Sequence, residues 1–175
     1  MRTGTFLTAA FVVTCALCSH AAFGTECQLP DELRAQMAKR YPEARVVSLS
    51  DLGAEDRALF AKEHGDACPG LTTLDFYGDG EPALAVDLVT GKEQAGKALL
   101  VVAHQVDGHW NIRQIGSAKS STPVVWNDKP GEYRDVYGTK KLQATRPVIV
   151  WCAYDAWAVV YAWTGSGVSK VWLAD

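Results

Sequence analysis

From Leu71 to the C-terminal end, the chain alternates short runs of apolar and β-branched residues with turns that contain glycine. The clearest turn is Asp107-Gly108, a dipeptide typical of two-residue β-hairpins, which separates residues 97–106 from residues 109–115. Because a two-residue turn can join only antiparallel strands, the pattern predicts a mostly antiparallel sheet. The other predicted strands are 71–77, 83–89, 122–126, 147–154, 156–163 and 168–173.

Two helices are predicted before these strands. In residues 30–41 the apolar positions recur every four residues, so they lie on one face of a helix that Pro42 ends. The second helix is predicted at residues 54–64, where Gly65 provides the stop signal, and a short strand at 44–49 lies between the two helices. The apolar positions of the first helix are Leu29, Leu33, Met37 and Tyr41.

These segments together predict an α+β fold. We expect two N-terminal helices to pack on a twisted, mostly antiparallel sheet of six to eight strands, because an amphipathic helix must bury its apolar face. Residues 127–139 are polar and contain Gly and Pro, so they are predicted to form a loop over one edge of the sheet.

The first 24 residues have the features of an export signal. Arg2 precedes an uncharged apolar run at residues 6–17, which is followed by small residues and is too short to span a bilayer as a helix. We therefore expect residues 1–24 to be a cleaved signal peptide, with cleavage after Ala21 as an alternative. Residues 25–175 are expected to form a single domain that is periplasmic or secreted.

Two of the five cysteines, Cys15 and Cys18, lie inside this predicted signal peptide. Their C-x-x-C spacing resembles a redox motif, but cleavage would remove it from the mature protein. A lipoprotein anchor on either cysteine is the less favoured alternative. Thr14 and Leu17 stand before them, where lipoproteins usually carry Gly, Ala or Ser.

The mature chain would keep three cysteines, Cys27, Cys68 and Cys152. An odd number in an oxidising compartment predicts one disulfide and one further thiol. The Cys27–Cys68 pairing is favoured because Cys152 lies in a strongly apolar segment, where a buried thiol behaves as a small hydrophobic group. Pairing of Cys68 with Cys152 remains open.

The charge balance is mildly acidic, with 17 Lys and Arg, 20 Asp and Glu, and a formal net charge of −3. Nucleic acids and anionic membranes are bound through basic fields, so neither is an expected partner. No second apolar run is long enough to span a membrane, and we expect no transmembrane segment in the mature chain. No cofactor fingerprint is present, and no cofactor is expected.

Residues 74–83 resemble the Asp-rich calcium loops of FG-GAP repeats and EF-hands. Asp75 and Asp79 match two of the carboxylate positions, but Tyr77 replaces the middle ligand and Val86 stands where an EF-hand places its bidentate Glu. Two missing carboxylates leave little to offset dehydration of the ion. A tight Gly-Asp-Gly hairpin turn is therefore the favoured interpretation.

A two-residue turn at Asp107-Gly108 would place four polar residues on one face of their hairpin. His104 and His109 could begin a zinc site there, but zinc needs at least a third protein ligand and none stands at a recognisable spacing. The favoured interpretation is the solvent-facing side of an antiparallel hairpin. The four residues are His104, His109, Asn111 and Arg113, while Trp110 and Ile112 take the other face.

Signals for nucleophilic catalysis are weak. Gly165-Ser166-Gly167 follows Thr164, not the Gly that a G-x-S-x-G elbow requires, and is predicted to be a hairpin turn. Cys152 could form a Cys-His pair with His104 or His109, but core packing explains the thiol without catalysis. No catalytic residue is predicted.

The last predicted hairpin has one aromatic and one aliphatic face. If Gly165-Ser166 is its turn, Trp163 pairs with Val168, and four aromatic residues share a face that forms either a second core layer or a binding surface. The aliphatic face is suited to contact with a helix. The aromatic residues are Trp157, Tyr161, Trp163 and Trp172, and the aliphatic ones are Ala158, Val160, Ala162, Val171 and Leu173.

These features favour an exported, non-enzymatic domain that binds another exported protein, as an inhibitor or immunity-type factor would. The candidate contacts are strand edges, the aromatic face, and the loop around Tyr133, Arg134 and Tyr137. One alternative is an envelope glycan-binding module that stacks sugars on the aromatic face. The other is a hydrolase with a His/Cys site.

Overall fold

A computed structural model describes residues 27–91, 96–119 and 122–174. The predicted signal peptide with its cleavage points, Cys15 and Cys18 lies outside the described residues. Two α-helices and eleven β-strands occur within the described ranges. The helices are α1 (Asp31–Arg40) and α2 (Ala54–His64); the strands are β1 (Ala44–Val46), β2 (Leu71–Leu74), β3 (Ala83–Thr90), β4 (Lys97–Val106), β5 (His109–Lys119), β6 (Val124–Asp128), β7 (Gly131–Arg134), β8 (Lys141–Ala144), β9 (Val148–Ala153), β10 (Trp157–Trp163) and β11 (Val168–Ala174).

The strands of the described part form three antiparallel sheets, which establishes a broadly α+β fold. A five-stranded sheet has the order β1-β3-β4-β5, with β2 also paired to β3; a four-stranded sheet has the order β11-β10-β9-β6; and β7 pairs with β8. The predicted single sheet of six to eight strands is therefore wrong. Short turns specify which neighbouring strands pair, but they do not specify whether successive hairpins join the same sheet.

The main hydrophobic core lies between the five-stranded and four-stranded sheets, which pack as a sandwich. Leu100 of β4 and Trp151 of β9 are buried there, and α2 contributes the buried ring of Phe60. β4 is buried on both faces along most of its length, which explains its nearly continuous apolar sequence.

The outer face of the five-stranded sheet is covered by α1. Leu33 and Met37 of this helix pack against Leu99 and Val101 of β4. The prediction of two N-terminal helices packed on one sheet needs correction, because the helices contact opposite faces of the five-stranded sheet. β1 lies between them as predicted, although it is shorter than the predicted strand.

The outer face of the four-stranded sheet is covered by the β7–β8 hairpin. Leu142 and Ala144 of β8 pack against Val160 and Val171 there. A strand hairpin thus takes the place of the helix expected on this aliphatic face. The predicted loop at 127–139 is also wrong, since that range includes all of β7.

The two sides of the sandwich differ, and we name them by their outer strands. On the closed side β6 meets β2 and the loop before it. Val125 N–H donates to the Pro69 carbonyl at 2.7 Å, and the Asn127 side chain donates to Thr72 Oγ1 at 2.8 Å. On the open side β5 and β11 face each other across a cleft.

The predicted Cys27–Cys68 disulfide is confirmed, with Cα atoms 5.3 Å apart. It joins the segment before α1 to the loop between α2 and β2, next to the Pro69 contact of the closed side. Cys152 is a free, half-buried thiol.

Both predicted hairpin registers are confirmed: Val106 pairs with His109, and Trp163 pairs with Val168. β5 continues past its predicted end to Lys119 through a β-bulge, where the pairing steps from Val101–Gln114 to Leu100–Gly116. None of the helices in the described ranges has the length and apolar character needed to cross a membrane.

Candidate functional site

The cleft on the open side has a volume of about 280 Å³. Tyr161 of β10 forms its floor and is only 2% exposed, whereas the walls come from β5 and β11. The wall residues are Arg113, Gln114 and Ile115 from β5, and Val168 and Lys170 from β11.

Tyr161 reaches this position because β5 carries a glycine opposite its ring. A Cβ atom at Gly116 would lie 2.7 Å from the Tyr161 hydroxyl and 3.0 Å from Cζ3 of Trp151, too close for either contact. Burial raises the pKa of Tyr161 to about 12, so the phenol is neutral at physiological pH. The floor of the cleft is therefore uncharged.

The walls carry cations and no carboxylate. Neither β5 nor β11 contains Asp or Glu, although the whole chain is acidic. Arg113 and Lys170 form no ion pair in the part of the chain that the structure describes. The Lys170 ammonium lies 5.9 Å from the Tyr161 ring centroid and 5.6 Å from that of Trp172. The cleft is thus an anion-attracting surface.

The four residues of the predicted aromatic face belong mainly to the core. Tyr161 is buried, while Trp157, Trp163 and Trp172 are half-buried and pack against the core between the sheets. Trp157 contacts Trp151 and Trp172, with ring centroids 4.8 and 6.2 Å apart. Stacking on a sugar requires an exposed ring face, so this packing disfavours a glycan platform.

The tip of the β7–β8 hairpin lies along β11. Val136 N–H donates to the Trp172 carbonyl at 2.7 Å, and the Lys140 ammonium donates to the Lys170 carbonyl at 2.7 Å. Next to these contacts three apolar side chains face solvent, and we call them the tip patch. They are Val136, Tyr137 and Leu173, which are 47%, 60% and 37% exposed.

The three loop residues predicted to bind a partner have different surroundings. Tyr133 is half-buried and its hydroxyl donates to the Lys129 carbonyl; burial and the nearby Asp128 raise the pKa of Tyr133 to about 12. Arg134 is exposed and its Nε lies 2.7 Å from Glu132 Oε1. Tyr137 is thus the more accessible of the two tyrosines.

The residues considered for calcium mainly stabilise turns. Asp75 Oδ1 accepts a hydrogen bond from Gly78 N–H at 2.7 Å, and Asp79 Oδ1 accepts one from Glu81 N–H at 3.1 Å. Both bonds hold the loop between β2 and β3. The described residues contain no group of three or more His, Cys, Asp or Glu that could hold a metal ion.

The predicted solvent-facing side of the β4–β5 hairpin needs one correction. His109, Asn111 and Arg113 are exposed, but His104 is buried, because its face turns toward the inside of the sandwich. The His104 ring lies 4.6 Å from the Tyr77 ring, and its Nε2 is 3.2 Å from Asp79 Oδ2.

The Cys152 thiol is not brought together with His104. Cys152 pairs with Ala158 at one end of β10, whereas Tyr77 links His104 to Trp163 at the other end, about 16 Å along the strand. Burial first, and then the nearby carboxylates of Glu63, Asp56 and Asp155, together raise the pKa of Cys152 to about 11. A thiol with this pKa is a poor nucleophile at neutral pH.

Comparison of the chain with protein-family models, with curated proteins and with solved structures finds no match. Sequence reasoning did not predict a binding role for Arg113 and Lys170 in the cleft, or for Val136 and Leu173 in the tip patch. It placed Arg113 and Leu173 only on faces of their hairpins. The absence of carboxylates from residues 109–119 and 168–174 is a signal that could have found the first pair. The tip patch could not be predicted without knowing that the β7–β8 hairpin lies on β11.

Proposed function

We propose that the protein is an exported, non-enzymatic domain that binds another exported protein through the tip patch and the adjoining strand β11. The observation that carries this proposal is the group of three exposed apolar side chains, Val136, Tyr137 and Leu173, held together by backbone hydrogen bonding. Exposed apolar groups surrounded by polar residues are typical of protein-binding surfaces. The disulfide supports an oxidising compartment.

The charge around the tip patch favours an acidic partner. Residues 128–141 and 168–174 carry five Lys or Arg and three Asp or Glu, so this region has a formal charge of +2 on a chain whose net charge is −3. Glu132 is already neutralised by Arg134, and Asp135 accepts the backbone N–H of Tyr137. Lys140 and Lys170 form no ion pair among the described residues, and Lys141 lies 4.0 Å from Glu132 Oε1, so these lysines would supply the positive charge of the region. An inhibitor or immunity-type factor would use such complementarity for rapid, selective association.

The test compares two valines of equal exposure on different surfaces. Val136 is 47% exposed in the tip patch, and Val106 is 46% exposed at the turn between β4 and β5. The Val136→Asp and Val106→Asp variants of the full chain, each immobilised, would be used to capture proteins from an exported-protein extract at physiological salt. Both substitutions add the same charge and remove similar exposed area.

We expect wild type and Val106→Asp to retain the same partner, and Val136→Asp to bind it about tenfold more weakly or worse, because the new carboxylate faces an acidic surface. Equal melting temperatures would show that both variants are folded. The proposal fails if no specific protein is retained by wild type, or if Val136→Asp and Val106→Asp retain it equally.

A further inference from the structure

β5 is an outer strand of the five-stranded sheet, and alternate residues direct their backbone groups away from β4. The two-residue turn makes Val106–His109 a hydrogen-bonded pair, and bonded and non-bonded pairs alternate along an antiparallel ladder. Ile112 and Gln114 therefore point their N–H and C=O groups outward. The Ile112 carbonyl, which accepts a hydrogen bond from Arg40, agrees with this assignment.

On the outward edge of β5, the last backbone group with a hydrogen-bond partner among the described residues is the Ile112 carbonyl, which accepts from Arg40. From Arg113 to Lys119, no hydrogen bond joins β5 to any described residue other than those of β4. This stretch of seven residues is about 23 Å long, the length of an ordinary strand. The facing edge strand β11 differs, because Val136 and Lys140 of the hairpin tip occupy two of its carbonyls.

We propose that residues 113–119 of β5 accept an extended acidic segment of the partner protein as an additional β-strand. This inference rests on the proposed function and names the chemistry of the partner segment. An exposed strand edge pairs readily with an extended chain, since each outward N–H and C=O gains a hydrogen bond. The added strand would lie beside the cleft and bring alternate side chains toward Arg113 and Lys170.

The positive charges of β5 and β11 determine which kind of strand can bind at this edge. A strand bearing Glu or Asp at alternate positions directs all of these carboxylates to one face, where they lie near Arg113 and Lys170 of the cleft, which form no ion pairs in the described part of the chain. A second copy of β5 would instead bring two sets of cations together, and like charges on paired strands are destabilising. The same cations therefore oppose self-association through this edge and favour an acidic segment.

The probe is a capped heptapeptide of alternating Glu and Val, compared with its counterpart of alternating Lys and Val. Binding to the full mature chain would be measured by fluorescence polarisation at physiological salt. We expect only the acidic peptide to bind, and we expect it to slow hydrogen exchange at the Gln114 amide. No binding of the acidic peptide, or equal binding of both peptides, would overturn the proposal.

Two substitutions at Gln114 separate backbone pairing from side-chain contact. Gln114→Pro removes an outward N–H that no described residue uses, and proline is tolerated at such edge positions, whereas Gln114→Ala keeps the N–H. We expect Gln114→Pro to weaken acidic-peptide binding by about tenfold and Gln114→Ala by less than about twofold. Equal affinities in these two variants would refute strand addition.

Arg113→Glu tests the charge of the cleft, and Val136→Asp separates this proposal from the preceding one. Arg113→Glu should weaken binding of the acidic peptide by about tenfold or more, because a favourable charge contact becomes a repulsive one.

Val136→Asp should leave peptide binding within about threefold of wild type, since the peptide does not reach the tip patch. If Val136→Asp loses the partner while Gln114→Pro and Arg113→Glu capture it as wild type does, the tip patch is supported and strand addition is overturned.

Discussion

The two sides of the sandwich are built in different ways. On the closed side, direct hydrogen bonds join β6 to β2 and to Pro69, and a disulfide lies next to them. On the open side, β5 and β11 are separated by a cleft. Beyond Ile112, β5 makes no hydrogen bond to a described residue outside β4. Covalent and hydrogen-bonded links therefore concentrate on one side of the molecule.

The charges of the two sides also differ. The closed side carries carboxylates from α2 and the turn before β10; burial, together with Asp155 and Glu55, raises the pKa of Asp56. The open side carries Arg113, Lys119 and Lys170 without a carboxylate on either strand. The difference shows that covalent and hydrogen-bonded links hold the closed side together, while the open side leaves backbone groups of β5 and three cations without a partner among the described residues.

The largest expected effect comes from removing the covalent link of the closed side. Replacing both Cys27 and Cys68 with Ser should lower the free energy of unfolding by about 4 kcal/mol, because the bridge restricts a long loop of the unfolded chain. Urea denaturation of the double variant measures the loss. Cys152→Ser is the control, since it leaves the bridge intact, and we expect it to change stability by less than about 1 kcal/mol. A double variant as stable as wild type would show that the disulfide does not stabilise the closed side.

Sequence reasoning succeeded where a single local signal determines the geometry. Asp107-Gly108 specified the register of β4 and β5, and the turn at Gly165 specified that of β10 and β11. The bounds of α2 also came out as predicted, because Gly65 ends a clear helical segment. The preference for the Cys27–Cys68 pairing followed from the apolar neighbourhood of Cys152.

The division into three sheets and the position of the cleft could not be predicted from local sequence signals. The β7–β8 hairpin buries little more than Leu142 and Ala144, so its sequence looks like a polar loop. The cleft forms only because strands from different hairpins, β5 and β11, become facing edges of two sheets. Such a juxtaposition depends on contacts between residues distant in sequence, and no local pattern encodes it.

The next effect concerns Asp87 of β3, whose backbone is tied to the closed side. Its N–H donates to the Gly70 carbonyl, and its own carbonyl accepts the N–H of Val47. The carboxyl is 0% exposed, and neither oxygen has a hydrogen-bond partner of normal geometry among the described residues. Burial raises the pKa of Asp87 well above its ordinary value, an effect that the Trp151 indole partly offsets.

A raised carboxyl pKa makes the protein less stable as the pH rises. Below the ordinary value of 3.8 the carboxyl is neutral in both states, and stability is lost as the pH climbs from there through the raised pKa of the folded state. Asp87→Asn removes the titration. At alkaline pH the variant should exceed wild type by on the order of 3 kcal/mol, because an unpaired buried charge is strongly destabilising.

Urea denaturation from pH 4 to pH 9 measures this difference. Asp66→Asn, at an exposed position, controls for the loss of one negative charge. The stability advantage of Asp87→Asn over wild type should grow with pH. A constant difference across the range would show that the pKa of Asp87 is the same in the folded and unfolded chains, and would weaken the account of the closed side as a dry, anchored region.

The smallest expected effect tests how firmly the open side is packed. Ala at Gly116 would force a methyl group against Tyr161 and Trp151, so Gly116→Ala should cost about 2 kcal/mol of unfolding free energy. Gly167→Ala, where nothing lies within 4 Å of the added Cβ, should change stability by less than about 0.5 kcal/mol. If both variants are as stable as wild type in urea denaturation, β5 shifts readily to accommodate the methyl group, and the two sheets are loosely packed on the open side. A loss confined to Gly116→Ala shows instead that the cleft floor is rigid, so its cations and the strand edge stay in place before any partner arrives.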